Sequence, residues 1–311
     1  MKETHLRIVG TGRYIPETII TNEDLEKMVA TSNDWIVDHT GILTRHKAVG
    51  EDTSDLATKA AQNALAKANI DKEMIDMIVV ATFTPDMKVP STASLVQSKL
   101  GLNHRDITCF DISAACTGFI YALQAAAAYV QSGMARYALV IGAEVITKMV
   151  DYTDRNTCIL FGDGAGAIII GAGESNQRAL FYTASEGDID DALIVKEHVS
   201  MNGRKVYRFA IEAIKKAMYK VLAYYHIGMA DLAKIIPHQA NSRIIESVAE
   251  SLQVPLDLFH MNIEKYGNTS AASIPIGLDE YFDTHPKVAG ERIMLVGFGG
   301  GLTWGSAIIT I

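Results

Sequence analysis

Three residues have types and settings that could do group-transfer chemistry. Cys116 follows an apolar run, ITCFDIS (107–113), and opens the neutral stretch TGFIYALQAAAAYV. A thiol at a helix N-terminus meets the positive end of the helix dipole, which lowers its pKa and favours a nucleophile. Cysteine also packs as a small buried hydrophobe, and the local sequence leaves both readings open. Cys109 lies inside a strand pattern and Cys158 inside an apolar run, and both read as core packing. His238 stands at the exit of a second apolar run, in IIPHQAN, where an imidazole can hydrogen-bond or exchange protons near neutral pH. A surface or capping histidine fits there too, and Asn241 and Ser242 can cap the helix behind it. Asn268 precedes a helical pattern in YGNTSAASIP, a common place for an N-cap. Asn268-Thr269-Ser270 is also a glycosylation sequon, without other signs of secretion.

The elements around these residues alternate between two periods. LRIVGTGRYIP is an extended opening, NEDLEKMV a helix, and SDLATKAAQNALAKANI a helix with Ala57, Ala60, Ala61, Ala64 and Leu65 at helical spacing. MIDMIVVATFTP is a buried strand, and VPSTASLVQSKLG a helix that stops at Gly101. YALVIGAEV is a strand, and CILFGDGAGAIIIGAG reads as two short strands about a glycine turn. The second half repeats the pattern. VYRFAIEAIKKAMYKVLAYYHI is a helix, LAKIIPHQA a strand with its exit loop, and SRIIESVAESLQV and SAASIPIGLDEYFDT are helices. RIMLVGFGGGLTWGSAIITI closes with strand, glycine turn and strand, echoing 158–173. That echo suggests an internal duplication with a boundary near 171–177. Alternation of this kind argues for α/β layers.

Composition narrows the function classes. The 311 residues suffice for one large domain or two of about 150. A net charge of −8 gives no support to nucleic-acid binding. GDGAG (162–166) and GFGGG (297–301) do not fit GxGxxG between strand and helix, so a nucleotide-dependent dehydrogenase is poorly supported. CxxC and HExxH, the usual metal spacings, are missing, and no metal is expected. Residues 112–135 carry no charge, but polar residues interrupt them and four consecutive alanines carry little transfer energy. They read as a helix buried in a protein, not a membrane span. MKETHLRIVGTGRYIPE lacks the pattern of a secretory leader, and three cysteines are too few for a disulfide framework. A cytoplasmic location is the expectation.

Seven segments, read together, resemble one family. They are TSNDWIVDHTGILTRH (31–46), DISAACTGF (111–119), TDRNTCILFGDGAGA (153–167), MNGRKVYRFA (201–210), IPHQANSRII (236–245), YGNTSAASIP (266–275) and GFGGGLTWGSA (297–307). In order and over the whole length, they are similar to the β-ketoacyl-acyl carrier protein synthase III family, the initiating condensing enzymes of bacterial fatty acid synthesis. The resemblance implies an α/β thiolase-like fold of two pseudo-repeated halves, 1–172 and 173–311, layered α/β/α/β/α, with the site between them. It implies a homodimer, coenzyme A thioester substrates, malonyl-acyl carrier protein as partner, no separate cofactor, and neither nucleic acid nor membrane.

The same resemblance assigns residues. Cys116, His238 and Asn268 match the family's Cys–His–Asn set. The backbone N–H groups of Cys116 and Gly300 match its oxyanion hole. Trp35 resembles the tryptophan that stacks on adenine, with Arg155 on the base's other face, and Thr31, Gly203 and Asn241 match positions along the coenzyme A arm. His39 stands where relatives commonly hold arginine, which weakens one charge near the pyrophosphate. Arg208 and Arg243 are candidates for docking an acidic carrier protein. Val89 replaces a phenylalanine that closes the acyl pocket across the dimer in many relatives, implying room for branched or longer primers. The segment from Glu186 to Met201 is shorter than usual.

Related chemistries separate within the sequence. Degradative thiolases use a second cysteine in the C-terminal half, and none follows Cys158. Elongating synthases use two histidines, and Asn268 stands where the second would be. A polyketide-type starter condensing enzyme and a non-catalytic thiolase-fold scaffold are the alternatives.

Overall fold

The computed structural model describes residues 3–188 and 190–311. The first half runs β1 (Glu3–Tyr14), β2 (Thr18–Thr21), α1 (Asn22–Glu26), α2 (Asn33–Thr40), β3 (Thr44–Lys47), α3 (Thr53–Ala68), β4 (Met77–Ala81), α4 (Thr92–Lys99), β5 (Thr108–Ile112), α5 (Gly118–Gln131), β6 (Tyr137–Glu144), α6 (Arg155–Cys158) and β7 (Gly164–Ala172). The second runs β8 (Arg178–Ser185), β9 (Leu193–Val195), β10 (Val199–Met201), α7 (Gly203–Tyr225), β11 (Lys234–Pro237), α8 (Ser242–Leu252), α9 (Ile263–Tyr266), α10 (Ser273–Thr284), β12 (Arg292–Gly299) and β13 (Thr303–Thr310).

Local chemistry explains the main boundaries. Asp52 caps α3, and Asn69 ends it in the left-handed region. β4, MIVVA, is buried at every position, as a parallel strand covered on both faces must be. α5 is apolar nearly all round because it has sheet on both sides, and Phe119, Ile120 and Leu123 are fully buried. Among the described residues no helix is long and apolar enough to cross a membrane.

Nine strands form one sheet in the order β11-β12-β13-β8-β1-β7-β6-β4-β5. The element order β1-α3-β4-α4-β5-α5-β6-β7 recurs as β8-α7-β11-α8-α10-β12-β13. Where the second copy would place its β5, only a parallel bridge joins Phe259 to Ile235. β1 and β8 pair antiparallel at Glu3–His5 and join the two curved halves. α5 packs on β4 and β6 on one side and on β8, β12 and β13 on the other. α10 likewise packs on β1 and β7 and on β11 and β12. α3 and α4 cover the first half's outer face, and α7 with α8 the second's, which completes five α/β/α/β/α layers.

Two sequence expectations need correction. Residues 158–173 are not a hairpin: α6 ends at Cys158 and a single strand, β7, starts at Gly164. The glycines serve close approach instead. A Cβ at Gly166 would stand 2.6 Å from the Ile276 nitrogen, so α10 rests directly on β7 there. The true counterpart of the C-terminal pair β12–β13 is the antiparallel pair β6–β7. Cys109, expected within the core, packs against it but is only half-buried, because β5 is the last strand of the sheet.

Candidate active site

The two central helices begin alike. A short 3-10 turn, Ala115–Thr117, leads into α5, and another, Ser270–Ala272, leads into α10. Each opens on a residue of positive φ, Ala115 at +46° and Ser270 at +51°. Such backbone in a non-glycine residue costs of order 1–3 kcal/mol and concentrates at functional sites. The two turns face each other, so Cys116 and the Asn268 segment meet although 152 positions apart, and the Ser270 hydroxyl donates to Cys116 Sγ at 3.3 Å.

Cys116, His238, Asn268 and Gly300 line one cavity of about 1130 Å³, as do Trp35, Gly203 and Asn241. Cys116 is 7% exposed. Burial pushes its thiol up to about 12, the Ser270 hydrogen bond opposes this, and the buried Glu144 carboxylate adds to it. The lowering expected from the helix terminus is therefore outweighed by desolvation in the empty cavity. The end of β12, where the glycine turn begins, crosses the Cys116 amide: a Cβ at Gly299 would stand 2.7 Å from the Cys116 nitrogen. The Thr303 hydroxyl ties this turn in place, its one proton shared between Ala114 O at 3.2 Å and Gly300 O at 3.1 Å.

β11 delivers His238, whose N–H donates to Val296 O at 2.8 Å. The ring lies edge-on to Phe298, with centroids 5.4 Å apart. Burial drives the imidazole down to about 3, so it is neutral at physiological pH. His238 Nδ1 and Ser273 Oγ are 2.7 Å apart, and Ser273 Oγ is 2.8 Å from Ser270 O. The single Ser273 proton sets the tautomer. On Nδ1 it leaves Nε2–H as a donor; on Ser270 O it leaves Nε2 as an acceptor.

Asn268 combines both readings of its sequence position. Its Oδ1 accepts from Ser270 N–H at 2.8 Å, capping the turn. With the oxygen so engaged, Nδ2 is the atom left to donate into the cavity. Its backbone N–H donates to Leu160 O at 2.8 Å, and its carbonyl accepts from Gly162 N–H at 3.1 Å.

The remaining expected residues divide. Trp35 sits on α2 with the Arg155 guanidinium 3.9 Å from its ring centroid and His39 stacked at 4.3 Å. Arg155 thus rests on Trp35 itself, where the resemblance puts a base between them. Asn241 caps α8 through Oδ1 and donates from Nδ2 to His39 O at 2.9 Å, joining α2 to α8. Thr31 lies outside the cavity lining, and its buried hydroxyl lacks a hydrogen-bond partner among the described residues. Arg208 and Arg243 are exposed, and Arg243 is paired to Asp38 at 2.9 Å. Val89 is 83% exposed and outside this chain's own cavity. Of the short 186–201 segment, in which residue 189 lies outside the described residues, Leu193–Met201 forms the β9–β10 hairpin, and Leu193 lies over the glycine turn: a Cβ at Gly300 would meet Leu193 O at 3.0 Å.

Sequence reasoning missed Ser270, Ser273 and Glu144. The serines sat in a quoted motif, but only the fold turns one to sulfur and the other to imidazole. Glu144 ends a strand as an ordinary polar residue would. It is fully buried, accepting from Thr82 Oγ1 at 3.0 Å and Thr84 Oγ1 at 2.6 Å, and burial raises its carboxyl to about 8. Among the described residues no cluster of three or more His, Cys, Asp or Glu could hold a metal.

Residues 110–188 match the family described as 3-oxoacyl-[acyl-carrier-protein (ACP)] synthase III, and residues 222–311 match its C-terminal part. The chain is 49% identical over 312 residues to the beta-ketoacyl-[acyl-carrier-protein] synthase III of Acholeplasma laidlawii, covering all of both chains. It is 46% identical to that of Clostridium novyi, covering 98% of each. The crystal structure of 3-oxoacyl-[acyl-carrier-protein] synthase III from Aquifex aeolicus superposes with a TM-score of 0.95 at 43% identity, covering 98% of this chain and all of that one.

Proposed function

This chain belongs to the 3-oxoacyl-[acyl-carrier-protein] synthase III family and is an acyltransferase that initiates fatty acid synthesis, and we propose that Cys116, His238 and Asn268 carry its chemistry. The reaction joins an acyl group from coenzyme A to malonyl-acyl carrier protein and releases coenzyme A and CO2. The observation that carries the residue assignment is the meeting of all three side chains with Gly300 in one cavity.

In the first half-reaction Cys116 Sγ bonds to the thioester carbon and the carbon–sulfur bond to coenzyme A breaks. The departing thiolate takes the proton that Cys116 gives up. The backbone N–H groups of Cys116 and Gly300 hold the tetrahedral oxyanion. In the second, the malonyl carbon–carboxylate bond breaks, and its electron pair moves into an enolate. His238, with its proton on Nε2, and Asn268 Nδ2 donate to the enolate oxygen. The carbanion carbon then bonds to the acyl carbon, and Cys116 leaves as thiolate and takes one proton from solvent. Neither half changes an oxidation balance that would call for a redox cofactor, so the thioester itself is the activated group.

Trp35, Arg155, Gly203, Asn241 and Thr31 are proposed to hold coenzyme A, the base entering where Arg155 now covers Trp35. The chain is proposed to act as a homodimer in the cytoplasm. The open edge of β5, with Phe110 and Ile112 half-buried, supports the dimer, and three free thiols support a reducing compartment. The two repeated halves, 1–172 and 173–311, are proposed as its structural units.

Partial reactions test the assignment. Cys116→Ala should lose acyl transfer, with mass spectrometry of the parent placing the acyl group on Cys116; finding it on Cys109 or Cys158 would refute the nucleophile. His238→Ala and Asn268→Ala should still form acyl-enzyme but condense about 10²–10³-fold more slowly. Parental condensation in either would refute that residue's role.

A further inference from the structure

Arg45 is buried to 1% exposure, and among the described residues it has no carboxylate partner. Its donors go to three neutral oxygens on two separate segments: Ile20 O at 3.4 Å and Asn22 Oδ1 at 2.7 Å where β2 meets α1, and Ile159 O at 2.6 Å. Burial pulls the guanidinium down to about 10, so it stays charged at neutral pH. Burying a charge without a counter-ion costs free energy that three carbonyl-type acceptors only partly offset. Neutral donors could satisfy those acceptors, so the fold gains something particular from a rigid, planar fork.

The geometry shows what lies around that fork. Ile159 and Leu160 belong to the segment between α6 and β7, and Leu160 O accepts the backbone N–H of Asn268. Two residues on, Gly162 N–H donates back to Asn268 O. Phe161 and Asn268 thereby form a parallel bridge. The stem of Arg45 lies against both sides of this bridge. A Cβ at Gly162 would stand 3.1 Å from Arg45 Cβ, and one at Gly267 3.2 Å from it. The start of β3 and the residue before it also hold the chain just before Asn268: Leu43 N–H donates to Glu264 O at 2.9 Å, and Thr44 Oγ1 to Lys265 O at 2.8 Å.

We infer that Arg45 is a positioning residue for the condensation half-reaction: it clamps the 159–162 segment that holds the Asn268 backbone. The inference rests on the assignment of Asn268 to the enolate, proposed above. Cys116 sits on a different turn, between β5 and α5, whose backbone Thr303 ties through Ala114 O and Thr117 Oγ1. Loss of the clamp therefore moves the Asn268 amide and leaves the backbone of Cys116 in place. Displacement of a catalytic group by about 1 Å typically costs about 10²-fold.

The experiment measures acyl-enzyme formation and condensation separately in Arg45→Lys, Arg45→Met, Asn22→Ala and Asn268→Ala. Arg45→Met is expected to lower kcat for condensation by about 10²-fold, with KM for malonyl-carrier protein and the acylation rate within about twofold of the parent. Arg45→Lys, which keeps the charge but not the fork, should recover only part of that loss. Equal loss of both half-reactions, or none, would overturn the inference. Should Arg45→Met not fold, Asn22→Ala decides: it removes the 2.7 Å acceptor that aims the guanidinium, together with the amide's own bonds to Ile42 O and Asn33 Oδ1, which lie outside the 159–162 segment. There, unequal loss supports the clamp and equal loss or none overturns it. Asn268→Ala separates the two claims. Its condensing at the parental rate would sink the Asn268 assignment, and with it the clamp. Its failing while the Arg45 variants condense normally would sink the clamp alone.

Discussion

Cys116 and His238 share one feature, that burial holds each in its neutral form, the thiol at about 12 and the imidazole at about 3. The thiolate that the proposed role of Cys116 requires must therefore be made by hydrogen bonds or by the substrate, and Ser270 is the side chain that supplies one such bond. Ser270 lowers the thiol pKa, so removing it raises that pKa further. Alkylation of Ser270→Ala by iodoacetamide should accordingly shift to higher pH and run about tenfold slower at pH 8, the worth of one hydrogen bond to a charged group. An unshifted pH profile would mean the hydroxyl does not act on sulfur. Ser273 plays a different part, since its one proton sets whether His238 Nε2 donates or accepts.

The site depends on elements approaching more closely than ordinary side chains allow. The turn before α10 lies against β6 at Gly142, where a Cβ would stand only 2.2 Å from Ala271 O. The atom in the way is backbone, so a side chain there must push the turn aside. Gly142→Val should cost about 1–3 kcal/mol of stability, the usual range for overpacking, and lower Tm in a thermal melt. It should also slow condensation, because the displaced turn follows directly on Asn268. A variant that melts and condenses like the parent would show that the turn has room. GDGAG follows the same logic. Its glycines looked like a hairpin signal, yet Asp163 accepts from Ala48 N at 2.8 Å and Thr147 N at 2.9 Å, and Gly166 lies under α10. Small residues there set the distance between layers.

The whole molecule is acidic at −8, so an acidic carrier protein must be drawn to a local patch. Arg243 already faces Asp38, which leaves Arg208 with the freer charge of the two candidates. Arg208→Glu should weaken use of malonyl-carrier protein more than Arg243→Glu does, both sparing acyl-CoA loading. The comparison is kcat/KM for each substrate at low and moderate salt; equal loss of loading would point to misfolding or to coenzyme A instead. The proposed role of Val89 in primer choice also belongs above the level of one chain. Val89 is exposed here, so the pocket it is proposed to shape would be that of a partner subunit in the proposed homodimer. Each buried methylene is worth about 0.8 kcal/mol, and pocket fit discriminates by about 1–3 kcal/mol per methylene. Val89→Phe should narrow the enzyme toward acetyl-CoA over isobutyryl- and hexanoyl-CoA. Unchanged kcat/KM ratios would remove Val89 from the pocket.

The sequence by itself determined the α/β alternation, most element positions and the family, because those rest on local periodicity and on ordered motifs. It also singled out Cys116, His238 and Asn268, whose types stand out at strand exits and helix starts. Only the tertiary structure decided which elements answer to one another across the repeat, since β6 and β7 are separated by a long connection while β12 and β13 are joined by a short one. It also decided the ionisation of the site. A helix terminus is visible in sequence, but the desolvation that outweighs it comes from layers packed on both sides of α5. The hydroxyls of Ser270 and Ser273, the carboxyl of Glu144 and the guanidinium of Arg45 acquire partners only when distant segments meet. A hydrogen bond between residues more than a hundred positions apart leaves no periodic trace in the chain that forms it.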